Sequence, residues 1–369
     1  MNHITALDGV RGVAVLLVLL FHYGLFPAGW VGVQLFFVLS GFLITRILID
    51  SRQRRLGPAL KRFYWRRCLR ILPVFCLFLI AVAVIYLASG LPSSFGSDWP
   101  WLISFAANLA RFRAVDIGAP FVHMWSLAVE EQFYLVWPFA VLLLSMRQLR
   151  WVVIALLLGV PVLRLVIFEW MSVAGHVAAY AGRVVYVSPV TQFDAFASGA
   201  ALAIWPNLVR KITRGKLIAI LGVVGICGAA VLADNHISGR GAFFASLGYS
   251  MYLIDAYGYV WGYSILNLLF TALLACTISD PVCARVFACR QLVFTGRVSY
   301  GLYVYHLPLL VGLRFLLPGF ARSQNVFLDL LTFAAWVAVS IVVAAFSFHY
   351  IERPILGLKD RFFSHLPPR

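Results

Sequence analysis

The sequence predicts an all-α polytopic membrane protein with about ten transmembrane helices. Of its 369 residues, 62% are hydrophobic and 12% are charged, and the mean hydropathy is +0.91. Soluble proteins have about 45–50% apolar and about 25% charged residues. Apolar runs of roughly 20 residues, the length of a membrane-crossing helix, recur along the chain. Helices rather than strands follow because these runs are about twice the length of a transmembrane strand.

Ten apolar stretches are candidate spans, and the connections between them predict an orientation. Basic residues concentrate in connections that alternate with nearly arginine-free ones. The positive-inside rule then places both termini and the basic connections in the cytoplasm. The candidate spans lie at 10–27, 31–49, 71–90, 125–145, 151–170, 190–206, 217–233, 260–279, 298–317 and 326–347.

The stretch 239–259 does not fit this alternation. It is apolar enough for a further span, but an extra crossing would invert the orientation of every later connection. We therefore expect an interfacial or re-entrant segment at this place.

Charge and cysteine content exclude several classes of protein. The net charge of +16 comes from 30 Lys and Arg against 14 Asp and Glu, and in so apolar a chain this excess must lie in the short connections. Nucleic acid is therefore not an expected partner. The cysteines form no CxxC pair and have no close histidine, so we expect reduced thiols and no metal site. They are Cys68, Cys76, Cys227, Cys276, Cys283 and Cys289.

The first predicted span and the residues just before it carry three ionisable side chains on one face. Arg11 and His22 are eleven positions apart, and Asp8 lies on the same stripe. The rise between Arg11 and His22 is roughly 16 Å, which places Arg11 at the cytoplasmic mouth and His22 inside the membrane or toward its far side. An ionisable group within a span costs roughly 2.5–3.5 kcal/mol, so each is a candidate functional residue. The alternative is a histidine that joins two helices and an arginine that only follows the positive-inside rule.

A second polar group opens another span, in HMWSLAVEEQFYLVWP (123–138). On a helix Ser126 and Glu130 share a face, Tyr134 lies close to that face, and Glu131 is rotated by about 100°. Two adjacent carboxylates cannot both face lipid, so Glu130 is the stronger functional candidate. The alternative, which is strongest for Glu131, is an interfacial carboxylate hydrated at the outer boundary.

The basic connection between the second and third spans places arginines among aromatic residues. Arg66, Arg67 and Arg70 repeat at helical spacing in RFYWRRCLRILP (62–73). Guanidinium groups bind phosphate through two parallel hydrogen bonds, and an adjacent aromatic ring can stack on a nucleobase. The alternative is attraction to anionic lipid headgroups. The segment SYGLYVYHLP is likewise open to two interpretations, because His306 and its tyrosines would also form an aromatic packing seam.

Six segments follow one another in a fixed order along essentially the whole chain. They are LDGVRGVAVLLVLLFHY (7–23), GVQLFFVLSGFLIT (32–45), FYWRRCLRILP (63–73), HMWSLAVEEQFYLVWP (123–138), FDAFASGAALA (193–203) and GRVSYGLYVYHLP (296–308). Together they resemble the membrane acyltransferase 3 family. Members of this family are similar ten-helix proteins that transfer acyl groups, commonly acetyl from acetyl-CoA, to sugars of envelope polysaccharides, lipopolysaccharide O-antigen, peptidoglycan or secreted glycoconjugates.

The resemblance implies a multi-pass protein of the bacterial inner membrane, in contact with membrane lipid. It implies acetyl-CoA as co-substrate, no metal, and a carbohydrate or lipid-linked glycan as acceptor. The oligomeric state is left open. The expected organisation is a membrane acyltransferase domain over 1–350 and a short cytoplasmic tail over 351–369. Many relatives carry a fused extracytoplasmic hydrolase-like domain, and we expect none here.

The resemblance also implies roles for individual residues. His22 corresponds to the family's essential histidine and Arg11 to its basic partner, while Glu130 and Tyr134 occupy the carboxylate and tyrosine positions of the SLxxE element. These four are the predicted catalytic residues. The predicted acetyl-CoA ligands are Arg66, Arg67 and Arg70, and the predicted substrate-binding or supporting residues are Asp8, Ser40, Trp125, Ser126, Glu131, Tyr305 and His306.

One position departs from the family pattern. Relatives often carry an arginine two residues before the aspartate of the FDAFASGA element, and here that residue is Gln192. A contact to an anionic group is therefore expected to be missing beside Asp194.

Acyl transfer from a thioester to a hydroxyl needs a general base, a stabiliser of the oxyanion and a grip on the donor's phosphates. Neutral His22 is the expected base. Glu130 is expected to orient its imidazole, as a carboxylate does in a catalytic triad. Tyr134, Ser40 or a backbone N–H are candidate oxyanion donors. A donor held at the cytoplasmic mouth would then deliver acetyl across the membrane without CoA leaving the cell.

The competing interpretation is a transporter or exporter of an envelope precursor. In that case Arg11, His22 and Glu130 would serve as relay or ligand groups within the membrane. Such carriers often consist of duplicated halves, and this sequence shows no internal repeat. Only the acyltransferase is expected to bind CoA saturably.

Overall fold

The computed structural model describes residues 3–89, 95–110, 117–240, 244–317, 320 and 325–359, and in these ranges it contains helices and no strand. The all-α prediction is therefore confirmed. The α-helices of the described chain are α1 (Thr5–Tyr23), α2 (Val31–Ser51), α3 (Leu56–Ser89), α4 (Phe95–Ile103), α5 (Ala107–Ala110), α6 (Met124–Leu143), α7 (Met146–Val173), α8 (Ala178–Val187), α9 (Phe193–Ile204), α10 (Pro206–Lys211), α11 (Arg214–Ile237), α12 (Gly258–Ser279), α13 (Pro281–Phe287), α14 (Arg290–Arg297), α15 (Ser299–Leu316), α16 (Val326–Ser347) and α17 (Arg353–Leu356).

Eight helical segments of the described chain are long and apolar enough to cross a membrane. They indicate a multi-pass membrane protein. The total of ten transmembrane helices and the cytoplasmic location of both termini remain predictions. Two predicted spans are not among the eight. Helix α9 has 12 residues, about 18 Å and so shorter than the hydrocarbon core, and α15 carries His306 and Arg314, which lower its hydropathy. The eight are Thr5–Tyr23, Pro27–Ser51, Leu56–Ile85, Ala119–Leu143, Met146–Val173, Arg214–Ile237, Asp255–Ser279 and Val326–Leu356.

The basic connection after α2 is largely helical. Helix α2 ends at Ser51 and α3 begins at Leu56, so the arginines of 62–73 lie on the first turns of a 34-residue helix that continues into the bilayer. This continuity fixes the direction in which Arg67 and Arg70 project, which a flexible loop would not do. The predicted tail 351–369 begins within a π-helical turn at Phe348–Glu352, and its residues 360–369 lie outside the described chain.

The segment 239–259 contains no α-helix before Gly258 in its described part, 239–240 and 244–259. The prediction that it is not a further helical span is confirmed, and its re-entrant position stays a prediction. The chain turns sharply there, with positive φ at several non-glycine residues, including Tyr252 and Leu253. It packs inward, because the Trp30 indole donates to the carbonyl of Tyr249 at 3.0 Å. The segment therefore covers one end of the bundle.

Helices α2 and α9 approach each other so closely that glycine is required at their crossing. A Cβ on Gly199 would lie 1.8 Å from the carbonyl oxygen of Val38, and one on Gly41 would lie 2.0 Å from that of Phe196. Both distances fall far inside van der Waals contact, so small residues permit this backbone packing. The α2–α9 contact in turn fixes the position of Ser40 next to Gly41.

The variant Gly199→Ala is expected to lower the thermal unfolding midpoint of the solubilised protein. Its methyl group cannot be accommodated unless α9 moves away from α2. Gly222→Ala is the matched control, because a Cβ there meets nothing within 4 Å and alanine favours a helix. Intrinsic fluorescence during a temperature ramp compares the two. Equal midpoints for both variants would show that the close crossing does not contribute to stability.

Candidate active site

A cavity lies between α1, α2, α3, α6 and α15. We call it the inner cavity, because it lies toward the N-terminal end of α1, the predicted cytoplasmic side. Arg11 and Arg70 also line a neighbouring opening that includes Asp8, Arg297 and Glu352. The inner cavity brings together many of the predicted site residues, namely Arg11, Ser40, Arg67, Arg70, Ser126, Glu130 and Tyr134.

Glu130 is held in the inner cavity by two hydroxyl groups. The side chains of Ser40 and Tyr134 both donate to its Oε1. The two hydroxyls are also within 3.2 Å of each other. Ser40, Glu130 and Tyr134 thus form a hydrogen-bonded group that links α2 and α6.

Three arginines and one carboxylate line the inner cavity, so its lining carries a net positive charge. The Arg67 guanidinium lies 5.0 Å from the centre of the Tyr134 ring, a distance at which cation–π attraction operates. Arg11 donates to Ser299 Oγ at 3.2 Å. A cluster of half-buried guanidinium groups suits an anionic ligand such as a phosphate.

A second cavity lies at the other end of α1, and we call it the outer cavity. His22 and His123 supply its imidazole groups. Met251 and Tyr252 of the non-helical segment also contribute to its wall. Most of the remaining wall is aromatic and includes Phe21, Trp30, Trp125, Tyr186 and Tyr303. Such a wall gives an apolar site with few polar groups, the usual character of a small-molecule pocket.

Three histidines meet beside the outer cavity: His22 of α1, His306 of α15 and His123, the residue just before α6. His306 Nε2 lies 3.1 Å from His22 Nδ1, and His306 Nδ1 lies 2.6 Å from the carbonyl oxygen of Tyr303. The ring centres of His123 and His306 are 4.8 Å apart. His306 is fully buried and His123 is 1% exposed. His22 and His306 are therefore in direct side-chain contact.

The two cavities share a wall formed by Val33 and Tyr303. The Tyr303 hydroxyl donates to the carbonyl oxygen of His123 at 2.8 Å and is hydrogen-bonded to Ser126. Ser126 lines the inner cavity and His123 the outer one. A single layer of side chains thus separates the arginine cluster from His22.

The expectation that Glu130 orients His22 is wrong. The hydrogen bonds of the His22 side chain go to the Val18 carbonyl and to His306, and Glu130 bonds to Ser40 and Tyr134. The reason is register: Glu130 follows His123 by seven residues along α6, about 10 Å. His123 reaches the level of His22, so Glu130 lies at the level of the inner cavity.

The other predicted residues are distributed unevenly. Trp125 lines the outer cavity, while Asp8 lies at the opening beside Arg11, 3.5 Å from Arg297. Arg66, Glu131 and Tyr305 line neither cavity. Tyr305 is hydrogen-bonded to Ser347 at 3.0 Å.

Asp194 has an arginine partner although Gln192 replaces the usual one. Arg164 of α7 forms a buried ion pair with Asp194 and donates to the carbonyl of Thr191 at 2.7 Å. Gln192 instead accepts a hydrogen bond from Gln34 at 2.6 Å. The expected missing contact is therefore supplied from another helix. The side-chain exposures of 0% and 2% for this pair mark it as a structural element of the core.

Replacing Asp194 with asparagine is expected to destabilise the protein by about 3 kcal/mol, because it leaves the Arg164 charge buried without its counter-ion. Arg240→Gln removes a cation from an exposed pair with Asp234 and is expected to change stability by less than about 1 kcal/mol. Unfolding by a denaturing detergent measures both. Equal midpoints would mean that the buried pair contributes no more than the exposed one.

Among the described residues, no group of three or more His, Cys, Asp or Glu side chains is placed to hold a metal ion. All six cysteines have free thiols.

Sequence reasoning did not select His123, Tyr303 and Ser299. His123 shares the helical face of Glu130, and Tyr303 precedes His306 by three residues, so both lie next to residues that were selected. The missing information was which side chains meet across helices.

The fold and these two cavities define a multi-pass membrane protein with ionisable groups gathered inside its helix bundle. Residues 4–350 match the acyltransferase domain of the acyltransferase 3 family. The chain belongs to this family, which favours an enzyme over the transporter interpretation.

Curated relatives carry related names. The chain is 30% identical over 96% of its length to the peptidoglycan O-acetyltransferase OatA of Listeria monocytogenes, and it covers 56% of that protein. It is 28% identical over its whole length to the O-acetyltransferase OatA of Staphylococcus aureus, of which it covers 60%. The putative peptidoglycan O-acetyltransferase YrhL of Bacillus subtilis is also 28% identical. The chain thus spans less than two thirds of these relatives. No solved structure matches it.

Proposed function

We propose that this protein is an O-acetyltransferase of the bacterial inner membrane that moves acetyl from acetyl-CoA to a hydroxyl of a cell-envelope carbohydrate. The observation that carries the proposal is the pair of cavities that share the wall of Val33 and Tyr303. One cavity is cationic and suits the donor, and the other contains His22 and suits the acceptor. The family match supports acyl transfer as the reaction class.

The donor site is proposed to be the inner cavity and its opening. Acetyl-CoA carries a diphosphate and a 3′-phosphate, and Arg11, Arg67 and Arg70 offer guanidinium donors for these groups. Because Arg11 and Arg70 also line the opening on the predicted cytoplasmic side, the nucleotide end would bind there while the pantetheine arm extends toward Tyr303. Arg66 lines neither the inner cavity nor its opening, so it is not part of the proposed donor site.

The chemical step is proposed to occur at His22. The imidazole accepts the proton of the acceptor hydroxyl as its oxygen attacks the acetyl carbonyl carbon. The new C–O bond forms, the C–S bond of the thioester breaks, and the proton passes to the departing sulfur to give the CoA thiol. The base thus returns to its neutral form, and no further reactant is needed.

The acceptor site is proposed to be the outer cavity, and the acceptor to be a peptidoglycan-type glycan. The relatives named peptidoglycan O-acetyltransferases support this choice over O-antigen. Trp30, Trp125 and Tyr186 give flat apolar surfaces against which a sugar ring can stack. His123 Nδ1 is buried without a hydrogen-bond partner, and it offers an acceptor to a second hydroxyl of the same sugar.

Radiolabel transfer tests the proposal. Purified protein in nanodiscs is incubated with acetyl-labelled acetyl-CoA and with peptidoglycan fragments, O-antigen or exopolysaccharide. We expect saturable label incorporation into the peptidoglycan fragments with release of one CoA thiol per acetyl group. The proposal would be refuted if the protein neither bound acetyl-CoA nor released CoA with any of the acceptors. Incorporation into another glycan alone would retain the reaction and correct the acceptor.

A further inference from the structure

The hydrogen bonds of the histidine cluster restrict each ring to one tautomer. A neutral imidazole has one N–H donor and one bare nitrogen, whereas a backbone carbonyl only accepts. His306 Nδ1 lies 2.6 Å from the carbonyl oxygen of Tyr303, so Nδ1 carries the proton. Neutral His306 therefore presents a bare Nε2.

That assignment determines the tautomer of His22. His306 Nε2 lies 3.1 Å from His22 Nδ1, and because Nε2 has no proton, His22 Nδ1 must be the donor. The second contact leads to the same result, since His22 Nδ1 lies 3.1 Å from the carbonyl oxygen of Val18. Both contacts leave Nε2 of His22 bare, which is the form that a general base requires.

His306 is the stronger of the two constraints on His22. The Val18 carbonyl is four residues before His22 in α1, so it already accepts the helical N–H of His22. His306 Nε2 has no competing donor among its described contacts. The side chain of His306 is fully buried, and its Nδ1 is fixed by Tyr303. In the described chain no carboxylate is hydrogen-bonded to His22.

We propose that His306 is the positioning residue of the acetyl transfer, in the place that a carboxylate takes in a catalytic triad. It accepts the Nδ1 proton of His22 and so keeps Nε2 of His22 available to the acceptor hydroxyl. When Nε2 takes that hydroxyl proton, the resulting imidazolium continues to donate from Nδ1 to His306. The same proton then passes from Nε2 of His22 to the CoA sulfur. His306 therefore neither gains nor loses a proton in the reaction. This inference rests on the proposed function of His22.

The variants His306→Leu and His306→Gln separate positioning from packing. Leucine keeps apolar volume but has no acceptor for His22, whereas the glutamine amide oxygen can replace Nε2. We expect His306→Leu to lower kcat about 10- to 100-fold, by analogy with the range for losing a partner that orients a metal-bound histidine, with an unchanged Kd for acetyl-CoA. His306→Gln should recover at least half of that loss on a logarithmic scale.

Nitrogen NMR of histidine-labelled protein reads the tautomer directly, and His22→Gln identifies the His22 signals. We expect a protonated Nδ1 and a bare Nε2 at His22 in the resting wild type and in His306→Gln, and a mixture of tautomers in His306→Leu. A wild-type kcat in His306→Leu, or a lost kcat with an unchanged tautomer, would overturn the proposal. If the wild type transfers no acetyl, the proposed function fails, while the tautomer measurement still tests the His306 contact in the resting protein.

Discussion

Replacing His22 with alanine is expected to reduce acetyl transfer at least about 1000-fold, within the range of about 10²–10⁴ that general-base catalysis contributes. His22 is the titratable group on α1 that lines the outer cavity, where the acceptor hydroxyl is proposed to bind. The donor site lies in the inner cavity, so acetyl-CoA binding is expected to remain. Steady-state kinetics and equilibrium binding of acetyl-CoA measure these two effects separately.

The control for this variant is His236→Ala, which removes an exposed histidine from the last turn of α11. It should transfer acetyl at the wild-type rate. Full activity in His22→Ala would contradict the assignment of the base. Loss of acetyl-CoA binding together with activity would instead indicate that His22 supports the bundle.

The double variant Arg67→Gln/Arg70→Gln is expected to raise the Kd for acetyl-CoA about 100-fold. Each arginine is proposed to make charge-assisted hydrogen bonds worth about 1.5–3 kcal/mol to the phosphates. The loss of about 1.5 kcal/mol at each position amounts to about 3 kcal/mol, or two powers of ten in affinity. Isothermal titration in nanodiscs measures the change, and kcat at saturating acetyl-CoA should fall much less.

Arg147→Gln/Arg150→Gln is the matched control. These two arginines have the same three-residue spacing and are exposed at the start of α7. The control removes the same charge from the protein, so it separates a local contact from a general electrostatic effect. An equal loss of affinity in both double variants would show that acetyl-CoA responds only to net charge.

Membrane class, helical fold and family could be predicted from the sequence because they depend on local features. Apolar run length gives the helices, and the helical period places Arg11 and His22 on one face of α1. The rise per residue separates these two side chains by roughly 16 Å, and they line different cavities in the structure. The sequence motifs singled out Arg67, Arg70 and Glu130 separately, and only the structure places them in one cavity.

The partners of these residues could not be predicted, because they depend on how far each helix is shifted along its neighbours. Helical spacing placed Glu130 on the correct face of α6, but only the packed bundle shows that His123 is the residue at the level of His22. The same applies to Asp194, whose partner Arg164 precedes it by 30 residues and belongs to a different helix. A single sequence does not show how far one helix is shifted along its neighbour.

The central claim is that acetyl passes from a donor on one side of the membrane to an acceptor on the other. A transfer assay with donor and acceptor in separate compartments tests it most directly. The protein is reconstituted into proteoliposomes in one orientation, with the N-terminal end of α1 facing the lumen. Labelled acetyl-CoA, which does not cross the bilayer, is trapped inside, and peptidoglycan fragments are supplied outside. We predict that label appears on the external glycan and that His22→Ala prevents its appearance. Label that appears only when donor and acceptor share one compartment would contradict transfer between the two cavities.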